Sequence, residues 1–548
     1  MQIKALAFAA SAALLGWTLP VAAQDLHGDE HHDHAAGGAT HSHDDEIAPK
    51  TPTLLAGYGT GGFTVTTHVP AAQAFFSNAM ELGAAFAHKA ATAAMHESAR
   101  LDPACAMCRW GEALVAGPTI NFGKDAEERE ALGKLADEAA RLARANAATG
   151  RERDLIAALA LRYRPGGKPY DHDKAYAAAM RNVAAKYPGD DAIAVLTADA
   201  LLVTVFALDH PGDVLEFDHK PIEQAVALLE TVLRRNPAFT PAIHFYIHAE
   251  EVLDQSEKAE PYADKLASLA PNASHLVHMP SHTFYWLGRY QEAADTNWRA
   301  VEIGKANAAR LGLAPPMGVW GLPYHAHNVI FGLGGALMAG DSRMALNLAR
   351  PLVERSAGED AAPPAAQLLS AAGYFAMARF DDPAAVLALP EPKLPYLKAA
   401  RHYARGEAML WLRDLAGARA ELAAIPERIG DKPIKGDWEH DNRAPEAMLA
   451  ITRKVLEGRI ALIEGRPADA AKLFGAAADI EETPDFRRFS DPPAFWYPVR
   501  RDEAAALLAS GDAPAARRTA QASLRLRPRD PVAMAVLARA EGALPAVH

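Results

Sequence analysis

Seven histidines fall between positions 244 and 327, in three short clusters. They read His244-Phe-Tyr-Ile-His248-Ala-Glu-Glu251, His275-Leu-Val-His278-Met-Pro-Ser-His282, and Tyr324-His325-Ala-His327-Asn328. Neutral imidazole is a ligand for zinc, copper, iron and nickel, and three or four donors make a tight site. His244, His248, His278 and His282 are the expected ligands. Glu251, His275 and His327 are expected either as further ligands or as partners that orient an imidazole. The competing reading is a polar surface in which the histidines bond to one another, to carbonyls and to tyrosines such as Tyr246 and Tyr285. If a metal keeps an open position, Glu251, or Glu250 beside it, is the candidate base. Both acids follow the second histidine, however, so the His-Glu-x-x-His helix of zinc proteases is absent.

Such a site needs helices to present it. At 100° per residue, His244, His248 and Glu251 lie within about 60° on one helix, and so do His275, His278 and His282. Each set therefore makes one stripe. A Gly-x4-Ala spacing recurs beside apolar helical patterns at Gly288/Ala293, Gly340/Ala345, Gly465/Ala470 and Gly511/Ala516, with Arg413/Ala418 as a variant. This is the turn and close-packing alanine of the tetratricopeptide repeat (TPR), a helical hairpin of about 34 residues. Further hairpins read at Ala72–Pro103, Pro103–Asn146, Glu152–Pro188 and Ile222–Pro237. The fold expected over residues 57–548 is an all-α TPR-type superhelix of helical hairpins.

In that repeat, places two, five and nine of the first helix face the concave groove. The glycine and proline register puts His275, His278 and His282 at those places, His244 and His248 at the fifth and ninth, and His327 at the second. Three successive hairpins thus aim histidines into one groove at 244–328. Pro280 sits inside a first helix and should bend it.

The three histidine elements resemble those of a bacterial family of exported TPR proteins, with patterns His-x-Tyr-Ile-His-x-x-Glu, His-Leu-x-His-Met-Pro-x-His and Tyr-x-x-His-Asn. Asp102-Pro-Ala-Cys-Ala-Met-Cys-Arg-Trp-Gly111, Gly117-Pro-Thr-Ile-Asn121 and Pro492-Pro-Ala-Phe-Trp-Tyr-Pro-Val-Arg500 are similar to further stretches of it. The likeness runs over roughly residues 75 to 540. It implies a shared fold and groove and carries no activity with it. Arg109 and Thr119 depart from the family pattern.

Cys105-Ala-Met-Cys108 follows Asp102-Pro103, so both thiols should sit at a helix start. A disulfide, redox exchange or soft-metal binding are the alternatives. Trp320, Tyr324, Asn328 and Arg500, with Tyr246 and Tyr285, could wall a ligand. His88 and His96 could reach the groove only if the superhelix curls round.

Residues 1–23 read as an export signal, with Lys4, an apolar stretch and a small-residue cleavage site at Val21-Ala22-Ala23. A periplasmic location follows. Residues 24–56 form an acidic, His-rich tail expected to be disordered; positions 24–49 hold His27, His31, His32, His34, His41 and His43 and seven acids, with no Lys or Arg, a composition that binds metal loosely. The formal charge of −12 becomes −13 without Lys4, which argues against nucleic acid as a partner. No later segment has the length of apolar residues needed to span a membrane. The function expected is transition-metal binding, of the zinc or copper class, in the groove. The alternatives are a scaffold gripping a peptide or partner protein, and a metal-dependent hydrolase or oxidase acting on a small molecule under the loop at 307–324.

Overall fold

The computed structural model describes residues 52–206, 219–313, 318–430, 442–487 and 493–542. The expected export signal and the tail up to residue 51 lie outside these residues, as does part of the loop at 307–324. The described residues are helical and contain no β-strand. Helices follow one another as packed pairs: α1 (Pro70–Ala84) with α2 (His88–Leu101), α3 (Ala106–Val115) with α4 (Ala126–Ala145), α5 (Gly150–Ala160) with α6 (Pro169–Lys186), and α7 (Asp191–Phe206) with α8 (His219–Arg235). Next come α9 (Thr240–Val252) with α10 (Glu260–Leu269), α11 (Ser274–His278) and α12 (Pro280–Trp286) against α13 (Tyr290–Leu311), and α14 (His325–Ala339) with α15 (Ser342–Gly358). The remainder is α16 (Pro364–Phe380), α17 (Pro383–Leu387), α18 (Pro395–Trp411) with α19 (Leu415–Ala424), α20 (Arg443–Ile463) with α21 (Pro467–Glu481), α22 (Pro484–Arg487), α23 (Arg500–Ala509) with α24 (Ala513–Leu526), and α25 (Pro531–Ala540). This is an all-α superhelix of the TPR type.

The repeat spacing has a backbone cause. Gly288, Gly340, Gly465 and Gly511 all have left-handed φ, between 75° and 91°, and Arg413 adopts φ 61° in the same role. Each alanine five residues later is fully buried, because the second helix of the hairpin crosses the first at that point. Two further hairpins obey the rule with other residues: Phe86 (φ 56°) before Ala91, and Asp254 (φ 60°) before Ala259. In three turns an aspartate follows and caps the next helix: Asp341 accepts from the Met344 N–H, Asp414 from Gly417 and Asp512 from Ala515. Ile222–Pro237 is only the second helix of its pair. The first, α7, is buried on nearly every side, so it shows no amphipathic period.

Contacts far apart in sequence show that the superhelix curls. The α1 end reaches the centre, where His244 Nδ1 lies 2.8 Å from the Ala84 carbonyl. Asn121 Nδ2 donates to Tyr324 Oη at 3.0 Å. From the other end, the Tyr285 hydroxyl donates to the Trp496 carbonyl at 3.3 Å and the Tyr290 hydroxyl to the Pro528 carbonyl at 2.8 Å. Gly288 is doubly required, since a Cβ there would lie 2.1 Å from Pro528 O. The central hairpins are therefore enclosed by both ends of the chain, and the groove expected from the repeat is closed.

Candidate functional site

At Pro280 the helix is interrupted. Met279 keeps helical dihedrals (φ −50°, ψ −37°), but proline has no N–H to donate, and α11 ends where α12 begins. Across this junction His275, His278 and His282 project beside His244 and His248 from α9 and His327 from α14. All six are buried.

They sort into two triads. In the first, His244 Nε2 lies 3.1 Å from His248 Nε2 and 3.0 Å from His275 Nε2. In the second, His278 Nε2 lies 2.8 Å from His282 Nε2 and 2.9 Å from His327 Nε2. Nitrogens placed tetrahedrally around zinc at about 2.05 Å would stand about 3.3 Å apart, so both triads have close to the spacing of a ligand set. The triads adjoin: rings of His275 and His278 are 5.6 Å apart between centroids, and those of His248 and His282 are 5.5 Å apart. This revises the expected grouping. The four histidines expected as one ligand set divide between two triads, completed by His275 and His327 as equal members.

The outer nitrogens establish the tautomers. Asn297 Nδ2 donates to the Ala293 carbonyl at 2.7 Å, so its Oδ1 faces His278 Nδ1 at 2.6 Å, and that nitrogen carries the proton. Glu251 Oε2 faces His282 Nδ1 at 2.7 Å while its Oε1 accepts from Trp286 Nε1 at 2.8 Å. The carboxylate thus makes His282 Nδ1 a donor. Glu251 stands where the orienting partner of an imidazole was expected, between His282 and Trp286. His244 Nδ1 donates likewise to the Ala84 carbonyl. In each ring the Nε2 lone pair is left pointing at its neighbours.

Burial and neighbouring imidazoles disfavour charge on His244, His248, His275, His278 and His327. Burial pushes His244 down to about 3, the Ala84 carbonyl opposing it. His275, His278 and His327 are held well below the ordinary imidazole range, by burial first and by adjacent histidines second.

Aromatic rings enclose the cluster. Phe331 touches His278, His282 and His327, with centroids 5.2, 4.6 and 5.6 Å away. Phe86 stacks on His275 at 4.9 Å and meets His244 edge-on at 4.5 Å. Tyr324 lies against His275 at 4.3 Å and beside Phe86 at 5.9 Å, so the two rings cover adjoining sides of it. A cavity of about 100 Å³ opens on the first triad, lined by Leu55, Tyr58, Phe86, His275, Arg310 and Tyr324. A second, of about 90 Å³, lies across Phe86 and is lined by His88, Arg162 and Asp199 among others.

Of the expected ligand wall, Tyr324 faces the cluster and Asn328 Nδ2 donates to Ser274 Oγ at its edge. Trp320 packs on His325, one layer out. Three residues fall elsewhere. Tyr246 is turned to Glu230 and Tyr262, Tyr285 lies behind Phe331, and Arg500 pairs with Asp479, Glu482 and Glu503. Tyr246 lies on the face of α9 away from His244 and His248, and Arg500 lies on a distant repeat; Tyr285, one turn after His282, packs on Phe331. His88 reaches Phe86 and the second cavity, and His96 bonds Glu112 at the surface. Cys105 and Cys108 form a buried disulfide at the start of α3.

Phe86, Asn297, Trp286 and Phe331 were not expected at the site. Phe86 had a signal: it stands five residues before a buried alanine, in the turn position that other repeats give to glycine. A bulky side chain with left-handed φ is strained, and here the strain holds its ring against His244 and His275. Asn297 lay on the core face of α13, four residues beyond the packing alanine Ala293.

No family model and no curated protein matches the chain. Among solved structures, human IFIT1 in its dimer with m7Gppp-AAAA is 13% identical, over 84% of this chain and 91% of that one, with a TM-score of 0.29. Yeast Tom70 is 13% identical over 83% and 91%, with a TM-score of 0.25. The P58(IPK) TPR domain is 11% identical over 86% and 98%, with a TM-score of 0.20.

Proposed function

We propose that this protein binds a transition metal of the zinc or copper class in its enclosed histidine cluster, and that it works outside the cytoplasm. One observation carries the metal reading. His278 and His282 each donate from Nδ1 to an acceptor oxygen, so when both rings are neutral their Nε2 atoms, 2.8 Å apart, confront each other with lone pairs. Two lone pairs at that distance repel. A cation between them turns the repulsion into two ligand bonds, and His327 Nε2, 2.9 Å from His278, supplies a third. Glu251 and Asn297 are the kind of outer partners that orient metal-bound imidazoles. The Cys105–Cys108 disulfide supports an oxidising compartment, as does the export signal read from the sequence.

The test is metal content by mass spectrometry on the full chain with its six tail histidines changed to Gln. Retention of tightly bound zinc or copper, lost in His282→Gln, is the expected result. A metal-free protein that takes up neither ion on titration would overturn the reading.

The scaffold reading keeps one observation of its own. Trp411 and Leu412, at the tip of a hairpin, are 71% and 55% exposed, which is unusual for such residues side by side. No helix among the described residues is long and apolar enough to cross a membrane. A protein partner on this outer face would be lost with Trp411→Ala while metal content stayed the same.

A further inference from the structure

Six imidazoles in two adjoining triads are more ligands than one ion needs. Each triad brings three Nε2 atoms within about one ligand radius of a common point, and no ring is shared between the two sets. We infer that the cluster holds two cuprous ions side by side, one per triad, and that dioxygen reaches them through the cavity at His275 and binds between them. The inference rests on the metal reading above and goes beyond it in number, in oxidation state and in ligand.

Charge selects the cuprous state. All six ligands are imidazoles, which are neutral when they bind metal. Among the described residues, Glu251 is the carboxylate that hydrogen-bonds a ring of the cluster. Two divalent ions would place four positive charges in a buried site beside one negative group, at high desolvation cost. Two cuprous ions place two. Cuprous copper also accepts three nitrogen donors without a fourth ligand, and each triad offers three.

The same arithmetic favours dioxygen over an inert ligand. Each copper gives up one electron, going from cuprous to cupric, and dioxygen takes both, its O–O double bond becoming the single bond of peroxide. No proton moves. The two added positive charges on copper are cancelled by the dianion, so the net charge of the buried centre is unchanged. Ions at two-metal sites typically lie about 3.5–4 Å apart, a span a diatomic ligand can bridge. The cavity of about 100 Å³ gives access at His275, the most exposed of the six rings at 4%.

The experiment uses the full chain with its six tail histidines changed to Gln, loaded anaerobically with copper(I) chloride and freed of excess by gel filtration. Two coppers per chain are expected. Admitting dioxygen should consume one molecule per two coppers, raise an intense near-ultraviolet charge-transfer band, and give a product silent in electron paramagnetic resonance, because adjacent cupric ions couple. His275→Gln and His327→Gln should each hold one copper and yield the resonance of an isolated cupric ion on oxidation. One copper per chain in the parent protein overturns the two-ion centre and leaves the metal reading standing. Two coppers that take up no dioxygen, or that oxidise to two uncoupled cupric ions, overturn the shared dioxygen site and likewise leave the metal reading standing. No retained copper or zinc overturns both. The parent protein decides the matter even if a variant fails to fold.

Discussion

The two triads contain the same three side chains and differ in what stands behind them. In the second, two of three outer nitrogens are tied to side-chain acceptors, His278 to Asn297 and His282 to Glu251, and Glu251 is itself tied to Trp286. In the first, a backbone carbonyl from α1 holds His244, while His275 is placed by packing against Phe86 and Tyr324 beside a cavity. Side-chain hydrogen bonds orient the second triad, whereas the first relies on one backbone carbonyl and on packing. A hydrogen bond specifies angle and tautomer, whereas a stacked ring can slide. The difference teaches that one buried histidine cluster can be fixed by hydrogen bonds on its closed side and by packing beside its cavity.

The largest break in this comparison should come from Phe86→Ala. Removing a buried ring should cost about 3–5 kcal/mol in a denaturation series. Metal titration should then show the first triad weakened and the second intact; equal loss at both would mean that the triads are not oriented separately. Glu251→Gln comes next, at about 2 kcal/mol. A carboxylate accepts from both His282 and Trp286, but a glutamine must turn its NH2 toward one of these donors. Affinity at the second triad should fall roughly 10- to 100-fold, read by competition with a chelator.

A buried acid away from both triads provides a control for burial as such. Glu481 accepts from the Val499 N–H, and burial pushes its carboxyl up to about 8. The folded protein therefore holds a proton that the unfolded chain releases near pH 4.5, so this group's contribution is full below that pH and is lost as pH rises toward 8. Glu481→Gln should remove a slope of at most about 1.4 kcal/mol per pH unit in that window and leave metal content unchanged. The smallest effect is expected from Asn297→Ala, about 1 kcal/mol, because Ser281 Oγ, 3.4 Å from His278 Nδ1, can take over part of the lost bond. Metal binding at the second triad should weaken more than stability does, and an unchanged affinity would show that Asn297 does not orient His278.

Much of the fold was legible because its signals are local. A left-handed turn residue and an alanine five places later satisfy backbone conformation and helix crossing within one hairpin, so Gly288/Ala293 and Gly511/Ala516 could be read without any neighbour. The rule also explains what was missed. Phe86 and Asp254 occupy the same turn position without being glycine, and a search by residue type passes over them. The six histidines were legible by spacing, since helical geometry alone aligns 244 with 248 and 275 with 278 and 282.

Their division into triads was not, because it depends on the break at Met279–Pro280 and on how α9 and α14 meet α11 and α12. Nor could a local pattern pair Tyr246 with Glu230 or Arg500 with Glu482, each of which lies on another repeat. By itself the sequence determined the repeat, the helices and which side chains share a stripe, all consequences of dihedral preference and periodicity over a few residues. Only the tertiary structure decided that the superhelix curls until Ala84 and Trp496 both reach the centre, that histidines from three hairpins meet as two sets, and that Glu251 orients His282. Those outcomes depend on small angles between successive hairpins added over the whole chain, and no local pattern records that sum.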